Sequence, residues 1–184
     1  MMREQFLDKY GPWALVTGAS DGIGRAFAAS VAEAGLNVVL VARRAEALER
    51  FADELRSLFP IETVVLPADL SRPDAVDSIA ARTAQLDVGL LVAAAGFGTS
   101  GRFVDSELEK ELDMIDVNCR AVAALTHHFG ASFRHRGRSG IVLMISVVAF
   151  QGVPRSANYA ATKAYVQSLA EGLRAELGLS DARR

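Results

Sequence analysis

The chain has 184 residues, 51% apolar and 23% charged, the composition of one ordinary globular domain with a sizeable core. A formal net charge of −2 excludes a broad attraction to nucleic acid or to an anionic lipid surface. The only cysteine, Cys119, leaves no intrachain disulfide, and one cysteine with three scattered histidines argues against a metal site.

The N-terminal MMREQFLDKYGPW lacks the apolar stretch of a secretory signal, and no apolar run reaches the length of a membrane span. The expectation is therefore a cytoplasmic protein without a membrane partner. Residues 13–17 (WALVT) read as a first strand. Residues 22–34 read as a helix with Ile23, Phe27, Val31 and Ala34 on one face, stopped by Gly35. Residues 37–42 (NVVLVA) are a second strand, 45–58 a charged amphipathic helix and 62–67 (ETVVLP) a third strand. Ser71 is placed to N-cap a helix over 72–85. Residues 88–95 (VGLLVAAA) give a fourth strand, 106–134 a long helix, and 140–146 (GIVLMIS) a fifth strand. A last helix spans 156–178, with Val166, Leu169, Leu173 and Leu177 on one stripe. Alternating strands and helices, with strands apolar on both faces, predict an α/β fold: a doubly wound, Rossmann-type parallel sheet of about five strands. Its ligand crevice should open where strand order reverses, beside strands one and four.

Between the first strand and its helix lies Thr17-Gly18-Ala19-Ser20-Asp21-Gly22-Ile23-Gly24. Gly18 permits a tight turn, and Gly22 and Gly24 let backbone approach a pyrophosphate held on the helix N-terminus. Tight turns are glycine-rich in any case, and the spacing differs from G-x-G-x-x-G. The second strand ends in Arg43 and Arg44. Arg43 stands 19 positions after Gly24, where an acid would bind an NAD ribose and a base the 2′-phosphate of NADP. Its guanidinium favours NADP(H) over NAD(H), the alternative being a solvated arginine pair at a strand end.

Tyr159 and Lys163 stand four apart at the start of the last helix, on one face. A nearby ammonium favours the phenolate, which would let Tyr159 act as general acid in reduction and general base in oxidation. Taken alone, a Tyr-x-x-x-Lys pair is more often structural. Ser146 ends the fifth strand, 13 residues before Tyr159, at the crevice side, where a hydroxyl could hold a substrate carbonyl. It could equally be a strand-end cap, and Asn118 a plain polar residue inside the long helix.

Thr17-Gly18-x-x-x-Gly22-Ile23-Gly24 after a first strand, followed in order by Asn118, Ser146, Tyr159 and Lys163, resembles the short-chain dehydrogenase/reductase family over about residues 10–178. KYGPWALVTGASDGIG at residues 9–24 is most similar to its 3-ketoacyl-CoA reductase and 17β-hydroxysteroid dehydrogenase type 12 branch. The resemblance implies an Asn118-Ser146-Tyr159-Lys163 tetrad, in which Lys163 also holds the nicotinamide ribose and Asn118 orders a water in a proton relay. It implies a cofactor site from Gly18, Ser20, Gly22, Ile23, Gly24, Arg43, Asp69, Leu70 and Gly96 together with Tyr159 and Lys163. Asp69 either contacts adenine with Leu70 or starts the following helix. No metal is implied.

Two features depart from the family. Ala93-Ala94-Ala95-Gly96 stands where Asn-Asn-Ala-Gly is usual, so Ala93 removes a polar tie between strands. The family's sixth strand, substrate-covering segment and seventh strand have no counterpart, since residues 179–184 are too short and polar to supply them. The expectation is a single NADP-binding domain over 1–184 lacking those parts. Three functions follow: a carbonyl/alcohol oxidoreductase, a nucleotide-binding or regulatory domain without turnover, or a subunit completed by a partner chain. The branch implies hydrophobic carbonyls such as 3-ketoacyl thioesters or steroids. Phe97, Phe103 and Phe150 could line an apolar pocket or pack in the core. Leu112, Ile115, Cys119, Val122, Leu125 and Phe129 offer more apolar surface than one stripe needs, so they are either all core or partly the face of a homo-oligomer.

Overall fold

Apolar runs without polar alternation form parallel strands here because helices cover both faces of the sheet. In the computed structural model, which describes residues 2–178, they are β1 (Trp13–Thr17), β2 (Asn37–Ala42), β3 (Thr63–Pro67), β4 (Val88–Ala93) and β5 (Gly140–Leu143). The helices are α1 (Met2–Tyr10), α2 (Gly22–Glu33), α3 (Ala45–Leu58), α4 (Ala75–Thr83), α5 (Leu108–Ile115), α6 (Ala121–Arg136) and α7 (Ala157–Gly178). The sheet runs β3-β2-β1-β4-β5, all parallel. The chain winds outward from β1 to β3, then crosses back to lay β4 on the other side of β1. Strand order therefore reverses between β1 and β4, as the doubly wound reading expects, and a crevice opens beyond their C-terminal ends.

Alternate residues of β1 feed two cores. Ala14 and Val16 pack with Val38, Leu40, Leu48 and Leu55 on the side of α2 and α3. Trp13 and Leu15 pack with Val39, Ile79, Leu125 and Phe129 on the side of α4 and α6. Gly35 ends the α2 segment as expected, with φ of 93°.

Several elements differ from the sequence reading. Helix α1 was not foreseen; its Phe6 and Tyr10 rings meet edge-on at 4.8 Å and pack on the first core. In α2 the buried face is Gly24, Ala28, Val31 and Ala32, while Ile23 is exposed. Small residues let α2 sit close on the sheet. Ser71 does not cap a helix. Its N–H and hydroxyl both donate to Asp69 Oδ1, at 3.1 and 3.0 Å, and α4 begins only at Ala75. The long helix is broken by a π-helical turn over Asp116–Arg120, between α5 and α6. Strand β5 stops at Leu143, so Ser146 does not end it.

Candidate active site

The turn after β1 is built for close approach. Gly18 has φ of 69°, and a Cβ there would stand 2.9 Å from Ala95 Cα. A Cβ on Gly24 would run into the Gly18 carbonyl, so α2 is seated directly on the turn. Asp21 caps α2 by accepting from the Gly22 N–H at 2.7 Å. That N–H first, and then the Arg44 guanidinium, hold its carboxyl below the usual aspartate value. Arg44 donates across the turn to Ser20 Oγ at 3.2 Å and to Asp21 at 3.4 Å.

Of the residues expected to hold a cofactor, Gly18, Ser20, Arg43, Asp69, Leu70 and Gly96 line one cleft of about 260 Å³. Arg44, Ser71 and Asp113 line it too. Gly22, Ile23 and Gly24 are the first three residues of α2 and are not among the residues that line it. A glycine cradle at a helix N-terminus, in a cleft that two arginines also line, fits a nicotinamide dinucleotide. The cross-strand tie that Ala93 cannot make is supplied elsewhere: the Ala95 N–H donates to Thr17 Oγ1 at 3.0 Å.

The second group gathers at the ends of β4 and β5. Asn118, buried in the π-helical turn, accepts from the Phe97 N–H at 3.1 Å and donates to the Phe97 carbonyl at 2.9 Å and to Thr162 Oγ1 at 3.0 Å. Both amide hydrogens are thus engaged. Thr162 in turn donates to the Tyr159 carbonyl at 2.8 Å. Lys163 is 6% exposed and donates to the Met144 carbonyl at 2.8 Å, with its Nζ 5.8 Å from the Tyr159 ring centre. Burial pushes Lys163 below the ordinary lysine value, with a small opposing effect of Cys119. A Cβ on Gly96 would stand 3.0 Å from Asn118 Oδ1 and 3.4 Å from Lys163 Nζ, and one on Gly98 3.0 Å from the Tyr159 ring. Asn118, Gly96, Tyr159 and Lys163 are therefore brought together. Ser146 sits two residues past the carbonyl that Lys163 holds, and caps a short 3₁₀ turn over Val147–Phe150 by accepting from the Val148 N–H at 3.4 Å. That turn packs against α7. Phe103, Val147 and Phe150 are exposed, not core. Thr17, Arg44 and Thr162 were not singled out from sequence as site residues. Each adjoins a residue that was: Gly18, Arg43 and Lys163.

A family model described as short chain dehydrogenase matches residues 12–181. The 7beta-hydroxysteroid dehydrogenase of Clostridium sardiniense is 37% identical, over 91% of this chain and 64% of its own length. The very-long-chain 3-oxoacyl-CoA reductase of Anas platyrhynchos is 36% identical, over 90% and 55%. A short-chain dehydrogenase from Sphingobium yanoikuyae, solved in complex with NADPH, superposes with a TM-score of 0.88 at 35% identity, covering 93% of this chain and 68% of that one. The chain thus spans less than two thirds of the length of these two curated relatives.

Proposed function

The chain belongs to the short chain dehydrogenase family, and on that premise we propose that it is an NADP(H)-dependent oxidoreductase interconverting a carbonyl and a secondary alcohol. One observation carries this reading: Tyr159 and the buried Lys163 meet Asn118 and Gly96 at the same end of the sheet as the Gly18 cradle. A nicotinamide held there supplies the hydride. Tyr159 gives its phenolic proton to the carbonyl oxygen in reduction and takes one from the alcohol in oxidation. The Lys163 ammonium favours the phenolate, and Met144 and the α7 backbone fix where that charge stands. Ser146 orients the substrate oxygen. Arg43 and Arg44 select the 2′-phosphate, and Asp69 and Leu70 line the adenine end. Exposed Phe97, Phe103 and Phe150 favour a hydrophobic carbonyl, such as a steroid or a 3-oxoacyl thioester.

NADPH oxidation with a panel of bulky ketones and 3-oxoacyl thioesters, alongside cofactor titration, tests the reading. Ketone-dependent turnover is expected. Tight NADPH binding with no turnover on any of them favours a second reading, a nucleotide-binding domain that is silent alone or completed by further polypeptide. The specific observation behind that reading is the outer edge of β5, which no strand covers among the described residues. Among those residues no helix is long and apolar enough to cross a membrane.

A further inference from the structure

We propose that Glu111 is a positioning residue for Tyr159, clamping the start of α7 to the loop after β4 on which the phenol ring rests. The proposal builds on the catalytic reading of Tyr159. Glu111 lies in α5, a helix the proton-transfer scheme does not use, and it is only 4% exposed. One carboxylate oxygen accepts from the side-chain amide of Asn158 at 2.8 Å, and the same amide donates to the Glu111 backbone carbonyl at 3.0 Å. The other oxygen accepts from Thr99 Oγ1 at 2.8 Å. Asn158 directly precedes Tyr159, and Thr99 directly follows Gly98, the residue against which the Tyr159 ring lies.

The loop is thereby pinned on both sides of Gly98. Asn118 holds Phe97 by its N–H and its carbonyl, and Glu111 holds Thr99. A further tie, Gly101 N–H to the Arg155 carbonyl at 2.9 Å, links the end of the loop to the segment entering α7. Each of the two pins also reaches α7, Asn118 through Thr162 and Glu111 through Asn158. The two clamps, one a carboxamide and one a carboxylate, join the same loop and helix on either side of Gly98, which the Tyr159 ring faces.

Stability does not explain this carboxylate. A charge held by neutral partners in a buried place is costly, and a cluster that was apolar throughout would avoid that cost. The amide of Asn158 foremost, with the hydroxyls of Thr99 and Ser106, keeps the carboxyl below the usual glutamate value in spite of burial. The charged form is therefore the one these donors hold, and its two acceptor oxygens do what one apolar contact cannot: they fix two separate segments at once.

The test is fluorine NMR of the chain labelled with 3-fluorotyrosine, which gives signals from its three tyrosines, Tyr10, Tyr159 and Tyr165. Tyr159→Phe assigns the relevant signal. In Glu111→Ala, and equally in Asn158→Ala, the Tyr159 signal should shift and broaden while those of Tyr10 and Tyr165 stay. Glu111→Gln, which keeps an acceptor oxygen for Asn158, should bring it back toward wild type. With a reducible ketone, kcat in Glu111→Ala should fall about ten-fold or more while KM for NADPH stays within about two-fold, since misplacement of the proton donor weighs on the chemical step. An unmoved Tyr159 signal in Asn158→Ala, three signals moving together, or equal losses in kcat and NADPH affinity would each overturn the proposal. Asn158→Ala decides if Glu111→Ala does not fold. A wild-type chain without turnover would sink the catalytic reading, while the fluorine signals would still judge the clamp.

Discussion

The two arginines that follow β2 have different neighbours, and that separates their roles. Both line the cleft, but only Arg44 reaches over the glycine turn to Ser20 and Asp21. A 2′-phosphate would compete with Asp21 for Arg44. Because charge-assisted hydrogen bonds contribute about 1.5–3 kcal/mol, Arg44→Ala should weaken NADPH binding about ten-fold or more in isothermal titration and leave NADH nearly unchanged. Arg43→Asp should erase or reverse the preference; unchanged discrimination in both variants would remove the pair as selector. Tyr159→Phe should lower turnover by about 10²-fold or more with cofactor binding intact, and wild-type turnover in that variant would exclude Tyr159 as the acid. Lys163 gives a pH signature of definite sign. Its folded pKa lies below the ordinary 10.5 because it is buried. Between the two values the unfolded chain binds more protons at this lysine, so its contribution to stability rises with pH through that window, while the Cys119 thiol, pushed up by burial, contributes with the opposite sign. The difference in urea midpoint between wild type and Lys163→Met, followed up to pH 10.5, should show this slope.

The break in the long helix is where sequence periodicity failed most informatively. Leu112, Val122, Leu125 and Phe129 fit one helix over 106–134, yet the turn at Asp116–Arg120 takes an extra residue, with the Ala121 N–H bonding back to Asp116. One extra residue in a turn looks, in a pattern of apolar spacings, like ordinary drift. Its consequence is the aim of Asn118, whose amide joins three elements. Asn118→Ala would leave the Phe97 N–H and carbonyl without their partner, each costing about 1–3 kcal/mol if left dry, and would take one donor from the Thr162 hydroxyl, which keeps its bond to the Tyr159 carbonyl. A fall in the urea midpoint with little change in m is expected; no fall would mean water replaces the amide. The strands and the span of α3 were legible because runs of Val, Leu and Ala and a charged 3.6-residue pattern are local signals. Ser71 and Ser146 were misplaced for non-local or competing reasons. Asp69 captured the Ser71 donors before a helix could use its oxygen. The chain leaves the sheet at Met144, whose carbonyl faces a lysine 19 residues ahead. Helix α1 escaped because its packing is two aromatic residues amid charge.

On the scale of the whole molecule, two apolar surfaces among the described residues bear on assembly. The first is on α5, where Leu108, Leu112 and Ile115 are exposed while Val122, Leu125 and Phe129 of α6 are core. The sequence reading left open whether this set was all core, and α5 is the part that is not. We expect self-association through it: light scattering at micromolar concentration should give more than a monomer mass, and Leu112→Glu should reduce it. The second surface is the outer side of β5. Its residues are only half-buried, although Ile141, Val142 and Leu143 have the composition of an interior strand. Beside it runs a groove of about 450 Å³ between the ends of α6 and α7, lined by Phe133, Ile141, Leu143 and Leu173 and flanked by Arg134 and Arg174. A bare edge with apolar side chains and no proline or charge in the strand invites pairing by another segment. Half-buried Leu173 and Leu177 on α7 face the same groove, so a strand laid there would also brace the helix that carries Tyr159 and Lys163. Supplying one is a direct test. The segment of the Clostridium sardiniense relative beyond its matched region would be fused after residue 184. An unfolding midpoint higher by roughly 4 °C or more is expected, from a gain of a kcal/mol or two spread over a chain of this size. On the proposed role of Tyr159, NADPH-dependent turnover should rise with it, because a firmer α7 would keep that side chain in position. If the fusion folds and changes neither quantity, the edge of β5 needs no cover, and the half-burial of that strand is simply its native state.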